Sequence, residues 1–248
     1  MEYIGQNSEL WSFFNHMVNR YSLAATADQL AERYQIEISP AYKPNFNASP
    51  SQLLPVITNT GPQGLSFFYW GLAPQWAKNK TISEKLINAR TELFGEKPVM
   101  KKNLMQRRCL VPADGFYGWK KVGKKAMIPH RLVLKSREVF SIAGLWDEYD
   151  DEQGESFHTF SIITVPSNEL TAAISERMPV IIDKSQEKKW LSGDASEADL
   201  LGIMVSLAAG KMDAYTISPR VNSLDVNDAA LLLPAPAADQ YGNLSLFD

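Results

Sequence analysis

Arg107-Arg108-Cys109-Leu110-Val111-Pro112-Ala113-Asp114-Gly115-Phe116-Tyr117-Gly118-Trp119-Lys120 is the stretch that decides the fold. Two short runs in it, 108–111 and 116–121, read as β-strands. Working outward, the same reading places strands upstream at 54–59 and 65–70, joined through the turn signal Gly61-Pro62-Gln63-Gly64. Downstream it places them at 131–135, 139–146, 157–165 and 178–182. Helices are fewer. Thr26 followed by Gln29 is a capping box that opens a helix with Ala27, Leu30, Ala31 and Tyr34 on its inner side. Asn168 caps a helix running to about Ile174, and helical stretches follow near 185–191 and 196–204, the second with Ser196 and Asp199 as its box. Asn7 or Ser8 caps a short amphipathic turn carrying Leu10, Phe13, Phe14 and Met17. Residues 42–51, rich in proline and asparagine, read as loop, and 212–222 form a tail that turns polar after Ser218. No repeat or linker interrupts the pattern, so the expectation is one α+β domain with a β-rich core. Its expected limits are 17–225, with 1–16 as an N-terminal extension and 226–248 as a C-terminal tail packed on the domain or trailing from it.

Bulk properties set the boundaries. With 248 residues, 45% apolar and 21% charged, the chain is an ordinary globular one. At that length it buries roughly 70% of its extended-chain surface and needs no disulfide or metal staple. The single cysteine, Cys109, excludes an internal disulfide and a cysteine-rich zinc site. No apolar run approaches the ~20 residues that span a bilayer, and Met1–Gln6 lacks the features of a secretion signal. The expected compartment is therefore the cytoplasm. A net charge of −3 argues against coating duplex DNA by bulk electrostatics. Between Lys101 and Lys125, however, eight basic residues face one acid, which suits either a groove for a short polyanion or a solvated hairpin.

Six landmarks follow one another in order: Arg20-Tyr21, Trp70-Gly71-Leu72-Ala73-Pro74, the Asn88/Arg90 pair, the Cys109–Trp119 block, Ala143-Gly144-Leu145-Trp146, and Arg177-Met178-Pro179-Val180. Together they resemble the SRAP family, the SOS-response-associated peptidases also called abasic-site processing proteins. The resemblance implies an SRAP-like fold, a barrel-like mixed sheet with peripheral helices. It also implies a role in the DNA damage response, with single-stranded DNA, abasic lesions included, as partner. Family members expose an N-terminal cysteine whose α-amine and thiolate together close a thiazolidine ring on the lesion aldehyde. Alongside it they use a glutamate in a Gly-Phe-Tyr-Glu-Trp block and a histidine two residues before the arginine of Arg-Met-Pro-Val, for acid/base steps.

In this chain the matching positions are Val18, Gly118 and Ser175. Valine has no thiol, and Met17 precedes it in peptide linkage. Glycine has no titratable group, and serine without a base is a poor proton shuttle. Cys109 lies in an expected strand with no adjacent amine and does not substitute. By the same resemblance, Arg20, Asn88, Arg90 and Arg177 hold phosphates and the lesion sugar; arginine's planar fork suits phosphate, and Asn88 both donates and accepts. Trp70 and Gly71 form a turn where a base stacks and the backbone approaches closely, and Asn47 lies with Pro50 in a loop facing nucleic acid. Alternatives stand beside these: Trp70 and Trp146 as core aromatics, and Arg177 paired with an acid such as Glu92. His16, His130 and His158 have no metal-ligand spacing, no glycine-rich phosphate loop or Gly-x-Ser-x-Gly elbow occurs, and no cofactor is expected.

Three readings are open. The first is an SRAP-like protein that binds single-stranded or abasic-site DNA without the covalent cross-link. The second is an active abasic-site enzyme with a divergent mechanism, such as a Schiff base on a freed Val18 amine. The third is a non-enzymatic interaction module. A monomer is expected.

Overall fold

Hydrogen bonding closes five strands into a ring. The computed structural model describes residues 18–71, 87–150, 154 and 156–244. Its strands are β1 Tyr21–Leu23, β2 Asn45–Ala48, β3 Leu53–Thr58, β4 Gly61–Trp70, β5 Asn88–Arg90, β6 Arg108–Ala113, β7 Gly115–Val122, β8 Ala126–Leu134, β9 Phe140–Asp150, β10 Ser156–Pro166, β11 Arg177–Pro179, β12 Ile181–Ile182 and β13 Met212–Thr216. The helices are α1 Ala27–Tyr34, α2 Leu93–Glu96, α3 Pro98–Gln106, α4 Glu187–Leu191 and α5 Glu197–Ile203. Strand β3 pairs antiparallel with β4 and β6, and β9 pairs antiparallel with β6 and β10. The ring is closed by the parallel pair β10–β4, with Phe160 opposite Trp70. The architecture is α+β with a mixed barrel core.

Side chains fill the barrel. Trp70 is fully buried and stacks on Phe160 at 6.1 Å between centroids, while Tyr21 tilts against it at 5.3 Å. Cys109 sits directly opposite Gly144, and a Cβ on that glycine would meet the Cys109 sulfur at 2.7 Å. Burial raises the thiol pKa, so Cys109 is a packing residue and not a nucleophile.

A second sheet, in the order β13-β8-β7-β1-β2, is antiparallel throughout. The chain passes from barrel to second sheet at Asp114, between β6 and β7. Its carboxylate accepts from Ser22 Oγ at 2.6 Å, from Arg131 at 2.7 Å and from the Ala24 amide. Arg131 also donates to the Tyr215 hydroxyl at 2.9 Å, so one buried network ties β1, β8 and β13 to the corner. Every partner there is satisfied, which is the condition for a buried ion pair to be tolerated.

Several elements differ from the sequence reading. Residues 42–51 contain β2, because β1 offers a sheet edge: Tyr21 opposes Ala48 and Leu23 opposes Asn45. Pro44 precedes that strand, where its missing N–H breaks no ladder bond. Strands β4 and β8 begin earlier than expected, at Gly61 and Ala126. The segment after Asn168 makes only a 3₁₀ turn, Thr171–Ala173, with the Asn168 side chain accepting from the Thr171 amide at 2.9 Å. Helices α2 and α3 were not anticipated. Both capping boxes, at Thr26 and Ser196, form as read. The amphipathic turn expected before Met17 lies outside the described residues.

Candidate functional site

The C-terminal half of β10 is flanked on both edges. On one side β5 runs parallel to it, with Asn88 opposite Ile162 and Arg90 opposite Thr164. On the other, β11 runs antiparallel, with Arg177 opposite Pro166. This arrangement brings Asn88, Arg90 and Arg177 to one end of the barrel. Arg90 is exposed. Arg177 makes four bonds: Nη1 and Nη2 to the two oxygens of Glu92, both at 2.9 Å, Nε to Thr164 Oγ1 at 3.0 Å, and Nη2 to the Thr164 carbonyl at 2.7 Å. The pairing with Glu92 that the sequence left open is thus formed. Glu92 remains 50% exposed against 11% for Arg177, and the guanidinium holds its carboxyl below the usual range.

The segment before β1 reaches the same end. Asn88 Nδ2 donates to the Val18 carbonyl at 2.8 Å, and Val18 is only 2% exposed. Asn88 Oδ1 is buried and has no partner among the described residues. The Arg20 carbonyl accepts from the Tyr117 amide at 3.1 Å, which sets Val18–Arg20 beside β7. Arg20 donates one Nη to the Asn19 carbonyl at 3.0 Å, and its Nε is sealed from solvent without a partner among the described residues. Burial alone pulls its pKa down to about 10.

Gly118 follows Tyr117 and faces Ile174. A Cβ at 118 would stand 2.7 Å from Ile174 Cγ2 and 3.4 Å from Leu132 Cδ1, so no larger side chain enters without displacing Ile174. Ser175, the next residue, donates its hydroxyl to the Arg177 carbonyl at 2.9 Å. The positions Val18, Gly118 and Ser175 therefore border one region, and an isoleucine fills part of it.

Other expected contacts are committed to the fold. The Trp70 indole N–H donates to the Ile87 carbonyl at 2.9 Å, and with its ring packed between Phe160 and Tyr21 it has no face for a base. Gly71 adopts φ +79°, and a Cβ there would meet Ile87 Cγ2 at 2.6 Å, so the glycine serves the turn. The Asn47 amide donates to three carbonyls, of Val221, Ser223 and Val226, at 3.2, 3.0 and 2.9 Å. Three residues of the basic run are engaged within the fold. Arg108 is wholly buried and donates to Trp190, Leu104 and Ser192 carbonyls, each at 2.6 Å. Arg107 pairs with Asp147, and Lys101 with Glu197 at 2.6 Å.

Sequence reasoning passed over Thr164 and Ile174. Each sits in an apolar run without periodic contrast, and only the pairing of β10 with β5 and β11 gives Thr164 its place.

The profile of the SOS response associated peptidase (SRAP) family matches residues 17–224. The chain belongs to the SRAP family. It is 38% identical over 221 residues to the abasic site processing protein YoaM of Bacillus subtilis, covering 87% of this chain and 97% of that one. Identity to the abasic site processing protein HMCES of Xenopus tropicalis is 28% over 198 residues, or 67% of this chain and 59% of the relative. Among solved structures, a protein from Bacteroides thetaiotaomicron superposes with a TM-score of 0.77 at 31% identity, over 87% of this chain and 99% of that one. This SRAP member has a barrel whose β10 end carries Asn88, Arg90 and Arg177, and no side chain at 18, 118 or 175 is a thiol, carboxylate or imidazole. No helix among the described residues is long and apolar enough to cross a membrane.

Proposed function

We propose that this protein recognises abasic sites in unpaired DNA and holds them without a covalent bond, as part of a DNA damage response. Its relatives are named for abasic-site processing, and the end of β10 carries the groups such a ligand requires. The observation that carries the reading is the joint state of Val18, Gly118 and Ser175. A thiazolidine needs an α-amine and a β-thiol on one residue, whereas Val18 has no sulfur and its nitrogen is linked to Met17. Ile174 stands where a side chain at 118 would project. The Ser175 hydroxyl is spent on a backbone carbonyl.

Binding groups remain. Arg20 is held by one backbone carbonyl among the described residues, and its remaining donors suit an incoming phosphate. Asn88 keeps a buried acceptor oxygen for a sugar hydroxyl, and Arg90 projects from the same strand end. Arg177 joins them once a phosphate replaces Glu92.

Mixing the protein with single-stranded oligonucleotides that carry one abasic site tests the reading. A shifted band on a native gel at low salt is expected, together with free DNA on a denaturing gel. A heat-stable adduct would overturn the non-covalent part, and a band trapped by borohydride would establish an imine at a freed amine. No shift at low salt would overturn DNA recognition and leave the interaction-module reading.

A further inference from the structure

We infer that the groove between the β1–β2 edge and the β3–β4 hairpin is a nucleobase subsite, which takes an intact base neighbouring the abasic nucleotide on the same strand. The inference rests on the reading above and adds a ligand group and a position to it.

Shape and chemistry select the occupant. The groove encloses about 420 Å³ and has an apolar floor and walls formed by Leu23, Leu54, Pro55, Pro44 and Phe67. Its volume falls within the range of small-ligand sites, and its lining is mostly apolar as theirs is. Leu53, at its lip, is 52% exposed, and Phe67 is half-buried, so an aromatic ring is available from solvent. A flat ring with apolar faces fits between a phenyl ring and rigid prolines, and stacking of this kind is tolerant of base identity. Polar groups sit at the rim. The Asn227 side-chain oxygen accepts from the Phe46 amide at 2.7 Å, which turns its NH₂ into the group presented to a ligand. Every base has an edge acceptor for such a donor. Lys43 supplies a cation for the adjoining phosphate.

Charge supports the same occupant. Among the described residues no carboxylate lines the groove, on a chain whose net charge is −3. The larger cleft beside α1, about 1030 Å³, mixes four carboxylates with five basic side chains, and its one aromatic lining residue, Phe140, is buried, so it offers no ring for stacking.

Position connects the groove with the candidate site. Tyr21 lines it and packs on Trp70. Tyr21 lies three residues beyond Val18, a span of at most about 10 Å of extended chain. A stacked strand advances about 3.4 Å per nucleotide, so the groove lies within roughly three nucleotides of the lesion.

The test uses the full chain and single strands containing one tetrahydrofuran, an abasic analogue that cannot form a covalent adduct. The fluorescent base 2-aminopurine is placed at successive positions on either side of the analogue. A change in its emission is expected at one position on one side. Replacing the base there with a second tetrahydrofuran should weaken binding about tenfold, the scale of one stacking contact. Phe67→Leu keeps the apolar volume and should abolish that difference while binding the doubly abasic strand as the wild type does. Phe67→Tyr should retain it, and thermal melts establish that both variants are folded. Equal affinity of the wild type for singly and doubly abasic strands would overturn the subsite, as would a tenfold difference that survives Phe67→Leu. Failure to bind any of these strands at low salt would instead overturn abasic-site recognition itself, and the subsite with it.

Discussion

At position 118 the absence of a side chain and the presence of Ile174 are two sides of one contact. Glycine alone would leave a hole, but Ile174 Cγ2 occupies the place a Cβ would take. Gly118→Ala should therefore destabilise the protein by about 1–3 kcal/mol, the cost of overpacking a filled core. Placed on an Ile174→Ala background, the same change should cost close to nothing, and urea unfolding of the double-mutant cycle measures the coupling. The glycine itself is plain in the sequence. Nothing there gave a sign of Ile174, because a contact between β7 and a turn more than fifty residues later has no local signature. Arg20 presents the opposite case. Burial lowers its pKa to about 10, so the charged form is disfavoured by folding at every pH below that value, and stability should rise as pH passes through it. Arg20→Met should raise Tm by about 2–4 °C, equivalent to roughly 1 kcal/mol in a domain of this size. The same variant should bind abasic single strands at least tenfold more weakly by fluorescence anisotropy. A drop in Tm would mean that the guanidinium stabilises the unliganded fold.

Among elements, β10 matters most, because its two flanking strands set Arg90 and Arg177 on either side of Thr164. Glu92, which follows β5, holds Arg177 with the same two-oxygen geometry that a phosphate would offer. Glu92→Gln should release that fork. Affinity for single-stranded DNA should rise several-fold, and the slope of log K against log salt should steepen by about 0.7, the increment for one further phosphate on a single strand. Arg177 holds the Glu92 carboxyl below the ordinary glutamate range, so the pair is fully formed above about pH 4.3 and is lost only as pH falls through the lowered value. The advantage of Glu92→Gln should accordingly be the same at pH 6 and pH 8. An unchanged salt slope would show that Arg177 serves the fold alone. Elements differed in how far the sequence announced them. The boxes at Thr26 and Ser196 were legible because a cap is a local bond between residues three apart. Strand β2 was not, since its ladder partners in β1 lie more than twenty residues away and its own composition is that of a loop. Helix α3 carried one signal that went unused, Pro98 in its first turn.

For the molecule as a whole, neither closure of the barrel nor its contact with the second sheet is written in any local pattern. The parallel pairing of β10 with β4 joins segments about ninety residues apart, and only the ordered landmarks of the family anticipated a barrel. The family resemblance put Asn47 in a loop facing nucleic acid, and a loop asparagine near a proline gives no local hint of what it holds in the fold. In the fold its amide gathers the carbonyls of Val221, Ser223 and Val226, fastening the C-terminal segment to the edge of the second sheet. That segment also places Leu231 in a small core with Tyr117 and Trp119. Replacing the amide with an apolar group of similar size leaves those carbonyls without their donor, and each buried unsatisfied group costs about 1–3 kcal/mol. Asn47→Leu should therefore lower stability by at least 2 kcal/mol, and limited proteolysis should cut first in the segment beyond Asn222. The decisive comparison is affinity measured at a temperature where wild type and variant are both folded. If Asn47 acts through the fold, the dissociation constants for abasic single strands will agree within about twofold. A tenfold loss of affinity with Tm unchanged would instead make Asn47 a contact to the strand, and the clamp an incidental feature of the unliganded molecule.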